Sequence, residues 1–200
     1  MNYTEYKELH RQILSGEVKT PLYEKEAYRH YVQLSQARIN RWDKRLKLDE
    51  DAARIIRDAD RPTHWIIITE PWCGDAAHAI PFLMALIDLN PRITYEIQLR
   101  DSEPEPFLID NYLTNGGKSI PKLIVRDEQG TDLFTWGPRP AGAQQLFEKM
   151  KKEEADYDTI SIEIQKWYNK DKGQSTVKEI ASLWKEAVDT LEVRSALLER

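Results

Sequence analysis

The first third of the chain carries apolar side chains at the three- and four-residue spacing of an amphipathic helix. The positions that share this face are Tyr28, Val32, Ile39, Trp42 and Leu46. Such spacing predicts a helix with one buried side. Thr20 and the proline after it predict where this helix begins, because a hydroxyl caps free N–H groups and proline suits the first helical position. Asp49 predicts the cap of a shorter helix carrying Ala52 and Ile56.

Strand and helix signals alternate between residues 62 and 154. Strands are predicted at 65–69, 93–99, 122–126 and 131–136, and helices at 75–90, at 107–113 and from 141 onward. The strand–helix–strand start predicts a parallel pair with a right-handed crossover, and the turn at 127–130 predicts an antiparallel hairpin. The pattern therefore indicates an α/β protein with a mixed four-stranded sheet and helices on its faces.

The last part of the chain is again helical in pattern. Apolar positions recur along it at Ile160, Ile164, Trp167 and Tyr168. Thr176 followed by Glu179 predicts a capping box at the start of a final helix. These changes of pattern divide the chain into a helical N-terminal extension over 1–60, a central domain over 61–155 and a helical C-terminal extension over 156–200, which we expect to pack on that domain.

Composition excludes several classes of protein. The chain is 40% apolar and 32% charged, which is typical of a globular protein, and no apolar run is long enough for a membrane span. A net charge of −5 argues against general nucleic-acid binding. The single cysteine excludes a disulfide within the chain and a zinc site of several cysteines, so a reducing cytoplasm is the expected compartment. The first 16 residues lack the apolar region of a secretory signal.

The strongest candidate for chemistry is Cys73, which lies where a buried strand gives way to a helix. Unpaired N–H groups and the helix dipole favour a thiolate at a helix start, which lowers a thiol pKa. Asp75 lies close by, and a like charge raises a thiol pKa. These two effects oppose each other, and the sequence leaves the sign of their sum open.

The segment Trp72–Ala76 resembles the active-site motif of the thioredoxin family, Trp-Cys-Gly-Pro-Cys. A second likeness supports the first, because Ile120–Pro121 precedes a predicted strand and is similar to the cis-proline loop of that family. The order of predicted elements matches as well. The longer form that begins at Glu70 looks closer to a bacterial branch of thioredoxin-like proteins with added helices than to thioredoxin itself. The resemblance covers about half of the chain and implies a thioredoxin-like fold with added N- and C-terminal helices.

The resemblance also implies roles for individual residues. Cys73 is the expected catalytic thiol, and the residues expected to shape its groove or bind substrate are Trp72, Gly74, Asp75, Ala76, Ile120 and Pro121. Two positions depart from the family. Ala76 stands where the family has its second cysteine, and Ile67 stands where the family tends to have a buried acid. Without a second thiol, a mixed disulfide at Cys73 cannot be released from within the site.

Two functions therefore compete, and whether the protein is an enzyme stays open at this point. The first is monothiol thiol–disulfide exchange between Cys73 and a protein disulfide or a low-molecular-weight thiol. The alternative is a redox-inactive module that holds an extended peptide in the groove beside Pro121. A weaker third hypothesis is ligation of a metal or cluster by Cys73 in a dimer. We expect no cofactor, no resident metal, no nucleic-acid partner and no membrane partner, and a homodimer is left open.

Two basic features have a simpler interpretation than ligand binding. Arg38 and Arg41 belong to a cluster of basic residues around Trp42, which predicts a solvated helix face. Arg139 follows the last strand in a Gly-Pro-Arg-Pro turn. Although the family places a substrate-facing loop there, the interpretation favoured for Arg139 is a solvent-facing turn.

Overall fold

A mixed four-stranded sheet forms the centre of the molecule. The computed structural model describes residues 1–101 and 108–198, with side chains described up to residue 190. The strands are β1 (Thr63–Thr69), β2 (Ile93–Leu99), β3 (Lys122–Arg126) and β4 (Asp132–Trp136). They lie in the order β2-β1-β3-β4, with β1 and β2 parallel and the other two pairs antiparallel. This is the mixed sheet that the sequence predicts.

Helices surround the sheet and account for most of the remaining described residues. They are α1 (Tyr3–Ser15), α2 (Glu26–Arg45), α3 (Glu50–Arg57), α4 (Ala76–Ile87), α5 (Ala141–Lys152), α6 (Tyr157–Asp171) and α7 (Gln174–Leu198). Helix α4 makes the crossover between the parallel strands and continues through Pro81. The short helix predicted at 107–113 is a single 3-10 turn, Leu108–Asn111, and Phe107 lies outside the described residues. No helix in the described part of the chain is long and apolar enough to cross a bilayer.

The predicted extensions share the central core. Tyr6 from α1, Ile39 from α2 and Trp184 from α7 are buried in the same cluster as the strands β1 and β3. Burying each such side chain contributes about 1.5–3 kcal/mol, which offsets the cost of ordering these helices. A smaller cluster forms between α5 and α6. The boundaries at residues 60 and 155 stay a prediction, while buried residues of all three segments pack together.

The predicted start of α2 at Thr20 is wrong, because the helix begins at Glu26. Thr20 does organise one turn, since its carbonyl accepts the N–H groups of Tyr23 and Glu24 at 3.0 and 3.1 Å. Lys25 then takes an extended conformation with ψ 122°, which ends that turn. The cap predicted at Thr20 therefore forms, but it belongs to this separate turn and not to the start of α2.

The predicted capping box of α7 is also wrong, because the helix begins at Gln174 and Thr176 lies inside its first turn. The Asp171 carboxylate accepts the N–H of Ser175 at 3.2 Å. Glu179 is used elsewhere: its carboxylate accepts the N–H of Ala141, the first residue of α5, at 2.8 Å. Glu179 therefore stabilises the start of α5, just after the turn that contains Arg139.

Candidate functional site

Cys73 lies at the start of α4, at the carboxyl end of β1, as the sequence predicts. Its thiol donates to the Ile120 carbonyl oxygen at 3.4 Å, and its sulfur accepts the N–H of Ala76 at 3.4 Å. The residue is only 5% exposed. The fold thus brings the Cys73 loop and the Ile120–Pro121 loop together, because β3 lies directly beside β1 in the sheet.

The Ile120–Pro121 peptide bond is cis, and both residues are buried. Helix α2 supports the same site from another side, since the hydroxyl of Ser35 donates to the Cys73 carbonyl at 3.3 Å. Ala76, at the position of the second cysteine of the family, is fully buried, and so is Ile67. The two departures from the family pattern are therefore filled by apolar groups within the core.

Burial dominates the ionisation of Cys73. It raises the pKa of the thiol, to about 12, and the neighbouring Asp75 carboxylate acts in the same direction. The N–H of Ala76 and the Arg139 guanidinium lower the pKa, but less. The sequence indicated the helix start and Asp75 as opposing effects, and the larger effect is the removal of the thiol from water. At neutral pH Cys73 is a protonated thiol.

Asp75 forms a mostly buried ion pair with Arg139. The guanidinium meets both carboxylate oxygens, at 3.0 Å from Nε to Oδ1 and 2.7 Å from Nη2 to Oδ2. The Tyr168 hydroxyl also donates to Oδ1 at 2.9 Å. The interpretation of Arg139 as a solvent-facing turn residue is therefore wrong, because α6 brings Tyr168 over the turn and only 17% of the arginine side chain stays exposed.

Trp72 stands at the edge of the site. Its ring packs edge-on against Tyr28 at 5.7 Å, and the Arg100 guanidinium lies 5.3 Å from its centroid. Its Nε1–H is covered and has no acceptor among the described residues. Gly74 follows two residues later and faces Arg38, whose Nη1 would lie 2.9 Å from a Cβ at that position. Arg38 belongs to the site, and the prediction of a purely solvated helix face does not hold for it.

A cleft of about 970 Å³ lies beside Cys73. We call it the Cys73 cleft and define it by Tyr28, Arg38, Trp72, Cys73, Ile120, Phe147 and Tyr157. Gly74 and Asp75 also line it, whereas Pro121 and Ala76 do not. Its walls come from α2 on one side and from α5 and α6 on the other, so the predicted extensions take part in the site. In the described part of the chain, no group of three or more His, Cys, Asp or Glu side chains is placed to hold a metal ion.

Glu70 is a buried acid in the turn before Cys73. Its carbonyl accepts the N–H of Cys73 at 2.9 Å, and its carboxylate accepts the N–H of Asp101 at 3.3 Å. Burial raises the pKa of this carboxyl to about 7. Glu70 does not line the Cys73 cleft, so it supports the loop from the inside.

His78 is a packed, neutral side chain. Trp42 donates its Nε1–H to Nδ1 at 3.0 Å, and Nε2 lies 3.0 Å from the side-chain oxygen of Gln165. The ring stacks on Tyr168 with centroids 4.3 Å apart. Burial lowers the pKa of His78 to about 3. Both ring nitrogens are engaged away from Cys73, so His78 positions α6 against α4 and does not serve as a base for the thiol.

This pairing predicts a pH-dependent loss of stability. Below pH 6.5 the unfolded chain protonates His78 while the folded chain does not, so the contribution of the neutral ring to stability is lost as the pH falls towards 3. We expect His78→Gln to lower the free energy of unfolding at pH 7 by more than it does at pH 4.5. Urea unfolding at both pH values measures the two differences. His30→Gln, at an exposed position, should change neither value, and an equal loss for His78→Gln at both pH values would contradict the prediction.

Comparison with known proteins agrees with this geometry. A sequence model described as thioredoxin matches residues 5–151. A protein of unknown function from Pseudomonas aeruginosa is 17% identical, with 76% of this chain and 85% of that chain covered and a TM-score of 0.58. An HIV epitope-scaffold is 15% identical, with 93% of this chain and 99% of the scaffold covered and a TM-score of 0.57. Identities this low show the fold alone, and no curated protein matches.

The sequence match runs from α1 through α5 and includes Cys73, Asp75 and the Ile120–Pro121 loop. The predicted thioredoxin-like fold with added helices is confirmed by this match together with the sheet described above. The chain belongs to the thioredoxin family.

Proposed function

We propose that the protein is a thioredoxin-fold binding module that holds an extended peptide in the Cys73 cleft without redox turnover. The observation that carries this proposal is that the thiol is covered while a large open cleft lies beside it. Cys73 is 5% exposed and its sulfur is engaged on two sides, by Ile120 and by Ala76. The cleft beside it, of about 970 Å³, has room for several residues of a bound chain.

Three features of the site argue against redox turnover. The chain has no second cysteine, so no intramolecular step can release a mixed disulfide. Burial raises the pKa of the Cys73 thiol to about 12, and the thiolate is the nucleophilic form. Ile67 and Ala76 are fully buried apolar residues that neither relay a proton nor attack a disulfide.

The cleft has the composition of a peptide-binding surface. Tyr28, Trp72, Phe147 and Tyr157 supply aromatic area from four different parts of the chain. Aromatic side chains contribute a large contact area at little cost in conformational entropy, which is why they are frequent in binding surfaces. The proposed partner is therefore a segment of another protein.

Monothiol exchange is the second candidate, and one contact favours it. The N–H of Ala76 points at the Cys73 sulfur from the start of α4, and this contact stabilises a thiolate once it forms. In this reaction the thiol would first lose its proton to solvent. The thiolate would then attack a disulfide, one new S–S bond would form as the old one breaks, and the second sulfur of the partner would leave as a thiolate.

Reaction with oxidised glutathione separates the two functions. For the binding module, we expect formation of the Cys73 adduct at pH 7.5 to be about a hundredfold slower in the native protein than in 6 M urea, because the folded thiol has the higher pKa and is covered. Intact-mass spectrometry over time measures both rates. Cys73→Ser shows that the adduct is at this residue. An adduct that forms as fast in the native protein as in urea would instead establish the monothiol reaction.

A further inference from the structure

We infer that the Cys73 cleft selects acidic peptides and that Arg38 receives one of their carboxylates. The inference rests on the proposed function, since it names the class of segment that the cleft would hold.

The described residues of the cleft carry more positive than negative charge. The basic ones are Arg38, Arg100, Lys118, Arg139 and Lys151, and the acidic ones are Asp75 and Glu148. The whole chain has a net charge of −5, so the cleft is opposite in sign to the rest of the protein. A concave site lined by one sign of charge raises the local concentration of ligands of the other sign.

Both acids of the cleft are already engaged. Asp75 is bound by Arg139 and by the Tyr168 hydroxyl. Glu148 accepts the side-chain amide of Gln144 at 2.8 Å. The charge of Asp75 is therefore compensated by Arg139, whereas Glu148 keeps its negative charge and offsets one of the remaining cations.

Two of these cations have no acidic partner within the described residues. Arg100 pairs with Asp101 at 2.7 Å and Lys118 pairs with Asp110 at 2.6 Å. Arg38 and Lys151 form no such pair, although both line the cleft. Lys151 is exposed and water solvates it. Arg38 is half-buried, and burial lowers the pKa of its guanidinium, although the Asp75 carboxylate nearby acts in the opposite direction. Its charge is therefore only partly solvated, and it forms no ion pair within 4 Å among the described residues.

Arg38 also lies where it can bind a ligand beside Cys73. Its Nη1 approaches Gly74 so closely that a Cβ there would lie 2.9 Å away. A partly desolvated guanidinium without an acceptor is unfavourable, and a carboxylate would supply two parallel charge-assisted hydrogen bonds. Arg38 therefore favours an anionic group next to the Cys73 loop.

Trp72 lines the cleft beside Arg38 and contributes its aromatic ring to the wall. Its covered Nε1–H has no acceptor among the described residues. The ligand group that suits Arg38 is therefore an acceptor, such as a carboxylate, and this assignment does not depend on Trp72. The volume and the aromatic walls suit several residues of an extended chain better than a free anion.

Selection from a bead-bound library of random, cysteine-free heptapeptides tests the inference on the full chain. The peptides are acetylated and amidated so that only side chains carry charge. We expect the retained sequences to be enriched in Asp and Glu. Failure to enrich any sequence would overturn the proposed function and the inference with it. Enrichment of neutral or basic sequences would overturn the inference alone and leave peptide binding in place.

Calorimetry with a selected peptide and matched variants then tests Arg38. We expect Arg38→Gln to weaken binding roughly tenfold or more, as for loss of a charge-assisted hydrogen bond. Arg57→Gln removes the same charge at an exposed position of α3 outside the cleft and should leave affinity within about twofold. Gly74→Ala keeps the charge but displaces the guanidinium, and it should also weaken binding. Unchanged affinity for Arg38→Gln would overturn the assignment of the carboxylate to Arg38.

Discussion

Replacing Gly137 by Ala is expected to lower the free energy of unfolding by about 3 kcal/mol or more, since backbone strain and overpacking each cost about 1–3 kcal/mol. Gly137 has φ 110°, a backbone conformation that residues other than glycine rarely adopt. A Cβ there would lie 2.3 Å from the Pro121 carbonyl oxygen and 3.5 Å from the Lys122 Cα. These are backbone atoms at the start of β3, next to the Cys73 site, so they cannot rotate away as a side chain does.

Gly130→Ala is the matched control for this effect. Gly130 also has a positive φ, 79°, but a Cβ at this position of the hairpin turn would have no atom within 4 Å. We expect Gly130→Ala to lower the free energy of unfolding by about 1 kcal/mol, which is the cost of placing a side chain at a positive φ. Urea or thermal unfolding of the two variants measures the difference. Equal losses would contradict the claim that the two loops approach too closely for a side chain.

Replacing Asp75 by Asn is expected to speed alkylation of Cys73 at pH 7 roughly tenfold. The substitution removes a like charge that raises the thiol pKa and leaves the Arg139 guanidinium beside the sulfur. The fall in the thiol pKa raises the thiolate fraction at pH 7, and the lower intrinsic reactivity of that thiolate offsets part of the gain. The rate with iodoacetamide between pH 6 and 9 measures the change.

Arg139→Gln separates this electrostatic effect from loosening of the site. Asp75→Asn and Arg139→Gln both break the same mostly buried ion pair. We expect each to lower the free energy of unfolding by about 3 kcal/mol, because one buried charge loses its partner. Their effects on the thiol should differ in sign, since Arg139 lowers the pKa of Cys73 and its loss raises it. Faster alkylation in both variants would show that exposure, and not charge, controls Cys73.

Local patterns in the sequence predict most of the fold. The β-branched run at 65–69, the helical spacing before Asn90 and the hairpin turn at 127–130 correspond to β1, α4 and the β3–β4 hairpin. Asp49 caps α3 as predicted, accepting the N–H of Ala52 at 3.1 Å. The two helix starts that the sequence misplaced, at Thr20 and Thr176, fail because several nearby groups can cap a turn and tertiary packing selects among them.

The Trp-Cys-Gly segment, the missing second cysteine and the Ile-Pro loop are visible along the chain, because each is a matter of neighbouring residues or of composition. The ionisation of Cys73 is not, since it depends on how completely the folded core covers the sulfur. The partners of Asp75 are not visible along the chain either, because Arg139 and Tyr168 lie 64 and 93 positions away from it. The exposure of Arg38 to a cleft instead of to solvent depends likewise on where α5 and α6 pack. Periodicity and motifs report short-range order, whereas burial and ion pairing are sums over residues that only folding brings together.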